Sequence, residues 1–112
     1  GHVRWWSHVS RISKEAEQEK RLEAEKLERE VFLNDVRHVL SSVQGRRFVW
    51  RILDMAGVYR SSFTGNSTTF FNEGARNIGL RVLSDVMDAK PEAFLLMQQE
   101  DKKRKERKAN AR

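Results

Sequence analysis

The chain has 112 residues, with 22 lysines and arginines against 16 acidic residues, a formal net charge of +6 and no cysteine. That length allows one domain with a modest core, and zero cysteine excludes a disulfide framework and thiolate metal sites. No run approaches the roughly 20 apolar residues of a membrane-spanning helix.

A pI of 10.1 gives a general attraction to polyanions without naming one as the partner. The charge is unevenly placed. Residues 14–30 carry seven acidic and five basic side chains, residues 31–99 six and eight, and residues 100–112 three and seven. The large apolar residues fall mainly in the middle section. The expected organisation is therefore a Trp-containing segment and charged helical arm over 1–30, a helical core over 31–99 and a basic tail over 100–112. The start "GHVRWWSHVSRI" has neither the apolar run of a secretory signal nor a myristoylation pattern, so a soluble chain that stays inside is expected.

In chain order, Trp5 and Trp6 come first, among Val3, Val9, Ile12, Arg4 and Arg11. Such a segment suits a lipid interface weakly and a protein groove better, because an indole offers a large apolar surface with one donor. "SKEAEQEKRLEAEKLERE" (13–30) holds strong helix formers and no Gly, Pro or β-branched residue. Glu17–Arg21 and Glu25–Arg29 pair at i,i+4 with the acid first, and Ser10 or Ser13 is the expected cap. Its apolar residues form no continuous stripe, which predicts an exposed helix and not a heptad coil.

From Val31 the periodicity changes. Leu33, Val36, Leu40 and Val43, with Phe32 and Val39 beside them, predict a core-facing stripe to about Ser42. "QGRR" is expected to break or bend the helix. A second helix follows with Phe48, Ile52, Met55 and Ala56 on its inner face, widened by Trp50 and Leu53, and Gly57 stops it. "GVYRSSFTGNSTTFFNEGARN" (57–77) then packs four aromatics, three serines, three threonines and three glycines into one stretch. Gly65–Asn66 reads as its turn, and Thr68 or Thr69 as the cap of a third helix carrying Phe71, Ala75, Ile78, Val82 and Val86. Gly74, Ala75 and Gly79 make a thin face for close approach of another backbone. Pro91 opens a fourth helix, with Phe94, Leu95 and Met97 inside, before "EDKKRKERKANAR" ends it in charge. The predicted class is all-α: three to four helices preceded by a long charged helical arm.

Catalytic chemistry finds no constellation. His2, His8 and His38 are scattered, whereas a metal site needs three or four convergent ligands. The hydroxyls of Ser61, Ser62, Ser67, Thr68 and Thr69 have no arguable base, and the glycines do not form a phosphate loop. A non-enzyme without metal or cofactor is expected. Arg46, Arg47, Arg51, Arg60, Arg76 and Arg81 surround aromatics (Trp50, Tyr59, Phe63, Phe70, Phe71) that suit base stacking. The plainer reading puts the aromatics in the core and pairs the arginines with Asp54, Glu73, Asp85 and Asp88. Lys102, Lys103, Arg104, Lys105, Arg107 and Lys108 are the candidate DNA contacts, weak and salt-sensitive.

Residues 45–100 resemble a family of small proteins of short-tailed bacteriophages, the type named from a Bordetella podophage. The likeness is carried by Gly45-Arg46, by an apolar helix ending in Gly57-Val58-Tyr59, and by Phe63. It continues through Thr69-x-Phe71-x-Glu73-Gly74-x-Arg76-Asn77-x-Gly79 and an acidic apolar helix leading to "PEAF". Residues 1–44 lie outside it. The resemblance implies a virion or virion-assembly protein, at the portal or tail vertex or ejected from the head, present in the host cytoplasm during assembly. Its implied partners are portal, tail or internal proteins and further copies of itself, with nonspecific contact to packaged DNA and membrane contact only on ejection. Trp5, Trp6, Tyr59, Phe63, Asn72, Glu73, Gly74, Arg76, Asn77 and Gly79 are the expected interaction residues. An assembly factor that leaves before maturation and a DNA-binding accessory protein are the alternatives.

Overall fold

The computed structural model describes residues 2–58 and 67–111, with side chains over 4–58 and 72–111. Four helices follow one another: α1 (His2–Val39), α2 (Val43–Met55), α3 (Ser67–Ala89) and α4 (Glu92–Asn110), with no strand among the described residues. The chain divides into two units, one ending at Phe32 and the other beginning at Leu33.

The first unit is helix alone. The strong helix formers of 13–30 propagate back through the tryptophan segment to His2, so Ser10 and Ser13 lie inside α1 and cap nothing. From Arg4 to Phe32 only Val9 is even half-buried. The Trp5 and Trp6 rings stack with centroids 6.0 Å apart, and the Arg29 guanidinium lies over the Phe32 ring.

The second unit packs α2 on α3, α2 on α4 and α3 on α4. Its core is Leu40, Val49, Leu53, Val58, Val86, Ala93 and Met97, bordered by Val36, Trp50, Ala56, Val82, Leu83 and Phe94. The break after α1 comes earlier than "QGRR". It falls on Leu40–Ser42, where the Ser41 hydroxyl donates to the His38 carbonyl and extended Ser42 accepts from the Gly45 amide at 3.0 Å. Gly45 sits in the first turn of α2, and a Cβ there would stand 1.7 Å from the Val39 carbonyl oxygen. The glycine thus permits a close crossing and is no helix breaker.

The inner face of α2 also differs from expectation. Arg46, Val49 and Leu53 are buried at steps of three and four, while Phe48 and Met55 are each 63% exposed. Val43, on the expected stripe, is likewise exposed. The end of α2 follows its glycine. Gly57 has φ +73, its amide bonds the Asp54 carbonyl, and the Val58 amide reaches back to Leu53. This is a Schellman closure with its apolar contact, since Val58 and Leu53 are both buried.

Helix α3 begins at Ser67, which puts Thr68 and Thr69 in its first turn instead of at the cap. It buries Gly79, Val86 and Ala89, but Ile78 is exposed. Pro91, with φ −58, precedes α4 and leads into the turn. Ala93 and Met97 are buried and Phe94 stands 6.1 Å from Trp50, whereas Leu95 faces solvent. The residues from Glu100 to Asn110, expected to lose structure in charge, continue α4 as helix. Asp101 paired with Lys105 at i,i+4, and Arg107 and Lys108 at the negative helix end, favour that continuation.

Candidate interaction surfaces

Within the second unit, one ion pair fixes how α4 lies against α2. The Arg46 Nε donates to Glu100 Oε1 at 2.6 Å, and Nη1 donates to the Leu40 carbonyl at 2.9 Å. Both side chains are mostly buried, at 11% and 16% exposure. The plainer reading pairs the arginines with Asp54, Glu73, Asp85 and Asp88; the partner of Arg46 is instead Glu100, 54 residues away. A second arginine, Arg37 at the end of α1, donates from Nε to the Ala89 carbonyl at 2.7 Å. That bond satisfies an orphan carbonyl at the end of α3 and places a cation at its negative pole.

One residue further on each helix the surroundings change: Arg47 is exposed, while Asp101 keeps 19% side-chain exposure within an ion pair. Arg47 and Asp101 line a groove between α2 and α4 of about 790 Å³, together with Phe48, Trp50, Arg51 and Arg104 among others. Four cations and two aspartates line it, and Asp101 is held by Lys105 at 2.9 Å and by Arg104 at 3.8 Å. Phe48 entered this surface because Phe48 and Arg51 are three residues apart and share a face. The apolar pattern alone favoured the Phe48 face, whereas the arginines at 47 and 51 were the signal that it is exposed.

The expected interaction residues scatter. Trp5 and Trp6, 62% and 67% exposed, form a stacked pair on α1. Glu73, Gly74 and Asn77 are exposed on α3, Asn72 and Arg76 are half-buried, and the Arg76 Nε is enclosed without a hydrogen-bond partner among the described residues. Tyr59 and Phe63, with the Gly65–Asn66 turn, lie outside the described residues. The small-residue face divides. Among the described residues nothing stands within 4 Å of a Cβ added at Gly74, but at Gly79 it would meet Ala56 and Val58, each at 2.6 Å. Gly79 is thus corrected: it serves packing of α3 on the end of α2 and offers no surface to another chain. Of the basic set, Lys102, Lys103, Lys105, Arg107 and Lys108 are exposed on α4, and Arg104 is half-buried beside the groove.

No group of three or more His, Cys, Asp or Glu able to hold a metal ion occurs among the described residues. No helix among them is long and apolar enough to cross a membrane.

No curated protein and no solved structure matches the chain. The model of the Bbp19-like phage protein family matches residues 36–99. The match begins nine residues before the 45–100 stretch that carried the resemblance, taking in Val36, Leu40 and the Ser41–Ser42 break. It covers more than half of the chain and the whole of the buried core just described. The chain therefore belongs to the Bbp19-like phage protein family.

Proposed function

We propose that this phage protein is a non-catalytic component of the virus particle that works through protein–protein assembly. In this reading it sits at the portal or tail vertex of a short-tailed phage, or inside the head as an ejected protein. One observation carries it: α1 exposes nearly all of residues 4–32, including a stacked tryptophan pair. Two indoles and Ile12, Leu22, Leu27 and Val31, all at least half exposed, are a large apolar area for one helix to leave in water. Aromatic residues of this kind anchor protein interfaces. The partners are other structural proteins of the particle and further copies of this chain.

A second reading has its own support. Six lysines and arginines between 102 and 108 are carried on ordered helix, a form suited to weak, sequence-independent contact with packaged DNA. It accompanies the first reading and does not replace it.

Quantitative mass spectrometry on purified particles, before and after triggered DNA release, tests the proposal. Persistence in emptied particles at a symmetric copy number makes the protein a fixed vertex component. Loss along with the genome makes it an ejected protein. Absence from both refutes the virion assignment and leaves an assembly factor that departs before maturation.

A further inference from the structure

Two surfaces of this chain are opposite in charge and matched in spacing. On α1, Glu15, Glu19 and Glu23 recur at steps of four, so they stack along one helix face with Leu22 beside them. Every residue from Ser10 to Phe32 is exposed. Glu19 has Glu15 and Glu23 one turn away on either side, and Ala16 and Leu22 at the three-residue positions, so its helix supplies no cation. Like charges one turn apart weaken a helix. On α2, Arg47 and Arg51 are likewise one turn apart, and no carboxylate stands three or four positions from Arg47. They line the groove with Phe48 between them in sequence, and Arg104 borders it from α4.

We propose that the glutamate ridge of α1 in one copy docks into the α2–α4 groove of a second copy. Glu19 and Glu23 then meet Arg51 and Arg47, and Leu22 covers exposed Phe48. The contact brings opposite charge to Glu19 and to Arg47, neither of which has one three or four positions away on its own helix. The choice of a protein occupant over nucleic acid rests on the groove's make-up. Aspartates at 54 and 101 stand among the arginines and aromatics, and carboxylates repel phosphate, whereas Arg and aromatic side chains are what protein interfaces concentrate. The choice of this chain's own α1 rests on charge complementarity with its acidic 14–30 stretch and on that stretch being exposed. Ridge and groove are different surfaces, so the contact is head-to-tail and either closes into a ring or runs on as an open chain. The inference deepens the assembly reading above and rests on it.

The test is sedimentation velocity on the full chain in low and high salt, with two charge reversals. One carries Arg47→Glu with Arg51→Glu, the other Glu19→Lys with Glu23→Lys, and circular dichroism checks the helicity of each. The unaltered chain should associate at about 100 µM or below, and high salt should weaken it. Either reversal alone sets like charges against each other and should weaken association by about tenfold or more. Mixing the two reversed proteins restores opposite charges at both surfaces, so the mixture should re-associate. An unaltered chain that stays monomeric, or a mixture that does not associate, overturns the inference. So does a groove reversal that abolishes binding of a labelled duplex DNA while leaving self-association unchanged. A monomer still present in particles overturns this inference alone; an associating chain absent from particles upholds it and fails the virion assignment.

Discussion

Replacing Arg46 by methionine tests the packing of α4 on α2, because one side chain serves two elements. It donates to Glu100 at 2.6 Å and to the Leu40 carbonyl at 2.9 Å, at the break that follows α1. Methionine keeps most of the apolar stem and removes both bonds. It also strands the Glu100 carboxylate, whose Oε2 already has no hydrogen-bond partner among the described residues. Breaking a buried ion pair costs about 3–5 kcal/mol. With 11% and 16% of the two side chains still in solvent, the lower end applies, about 3 kcal/mol. Changing Glu100 to leucine in the same molecule removes the stranded charge and should recover roughly half of that loss. Urea unfolding of the parent, Arg46→Met, Glu100→Leu and the double variant, followed by far-UV circular dichroism, gives the coupling energy. A coupling of about 1.5 kcal/mol or more is expected; one below about 0.5 kcal/mol would refute the claim that this pair fixes the helices.

The two glycines of α3 should behave oppositely on substitution. Gly74→Ala fills open space in a helix and is expected to stabilise by about 0.5–1 kcal/mol, while Gly79→Ala drives a methyl into Ala56 and Val58 and should cost about 1–3 kcal/mol; thermal melts compare them. Gly45→Ala places its Cβ on the Val39 carbonyl, so a loss of about 3 kcal/mol or more is expected, and a near-neutral melt would mean that α1 and α2 do not cross so closely. Trp5→Ala with Trp6→Ala should leave urea stability within about 0.5 kcal/mol, since both rings are exposed, yet lower incorporation into particles measured by mass spectrometry. Replacing Lys102, Lys103, Arg107 and Lys108 by glutamine should weaken duplex-DNA binding and flatten the log–log salt slope by up to about 3–4; an unchanged slope would remove the tail from DNA contact.

The helical class and the long charged helix were legible because they rest on additive local preferences, from the strong formers of 13–30 to the stop at Gly57. What was misread had a tertiary cause. Phe48, Ile52 and Met55 make as good an apolar stripe as Val49 and Leu53, and only the approach of α3 and α4 decides which is inside. The true partner of Arg46 is hidden from local spacing, because Glu100 lies on another helix. Gly45 looked like a breaker because its reason, the Val39 carbonyl, lies across a turn made by two serines. Among the interaction residues the exposure of Trp5 and Trp6 is legible because the charged 13–30 stretch separates them from the apolar residues of the core. The inward use of Gly79 was not, since a small residue permits close packing from either side. The groove went unread because its two walls, at 44–54 and 101–105, are joined only by the fold.

The clamp and the groove occupy neighbouring positions on the same two helices, which ties stability to recognition. Arg46 pairs with Glu100, and Arg47 and Asp101, next along each helix, line the groove. Successive residues on a helix point about 100° apart, so a register that joins the first pair turns Arg47 and Asp101 toward the groove beside it. Glu100 is also the first residue beyond the stretch that matches the family, so it joins the family's core to the basic end of α4. If α4 slipped by one residue so that Gln99 took the place of Glu100, Arg46 would lose its carboxylate and every α4 side chain lining the groove would shift with it. Loosening the clamp without unfolding the chain, as Glu100→Gln should, is therefore expected to weaken any ligand of the groove. Glu100 itself lines none of it. Chemical-shift changes confined to residue 100 and its immediate neighbours in that variant would break the link; changes spreading to the amides of Arg47, Arg51 and Arg104 are the outcome this geometry requires.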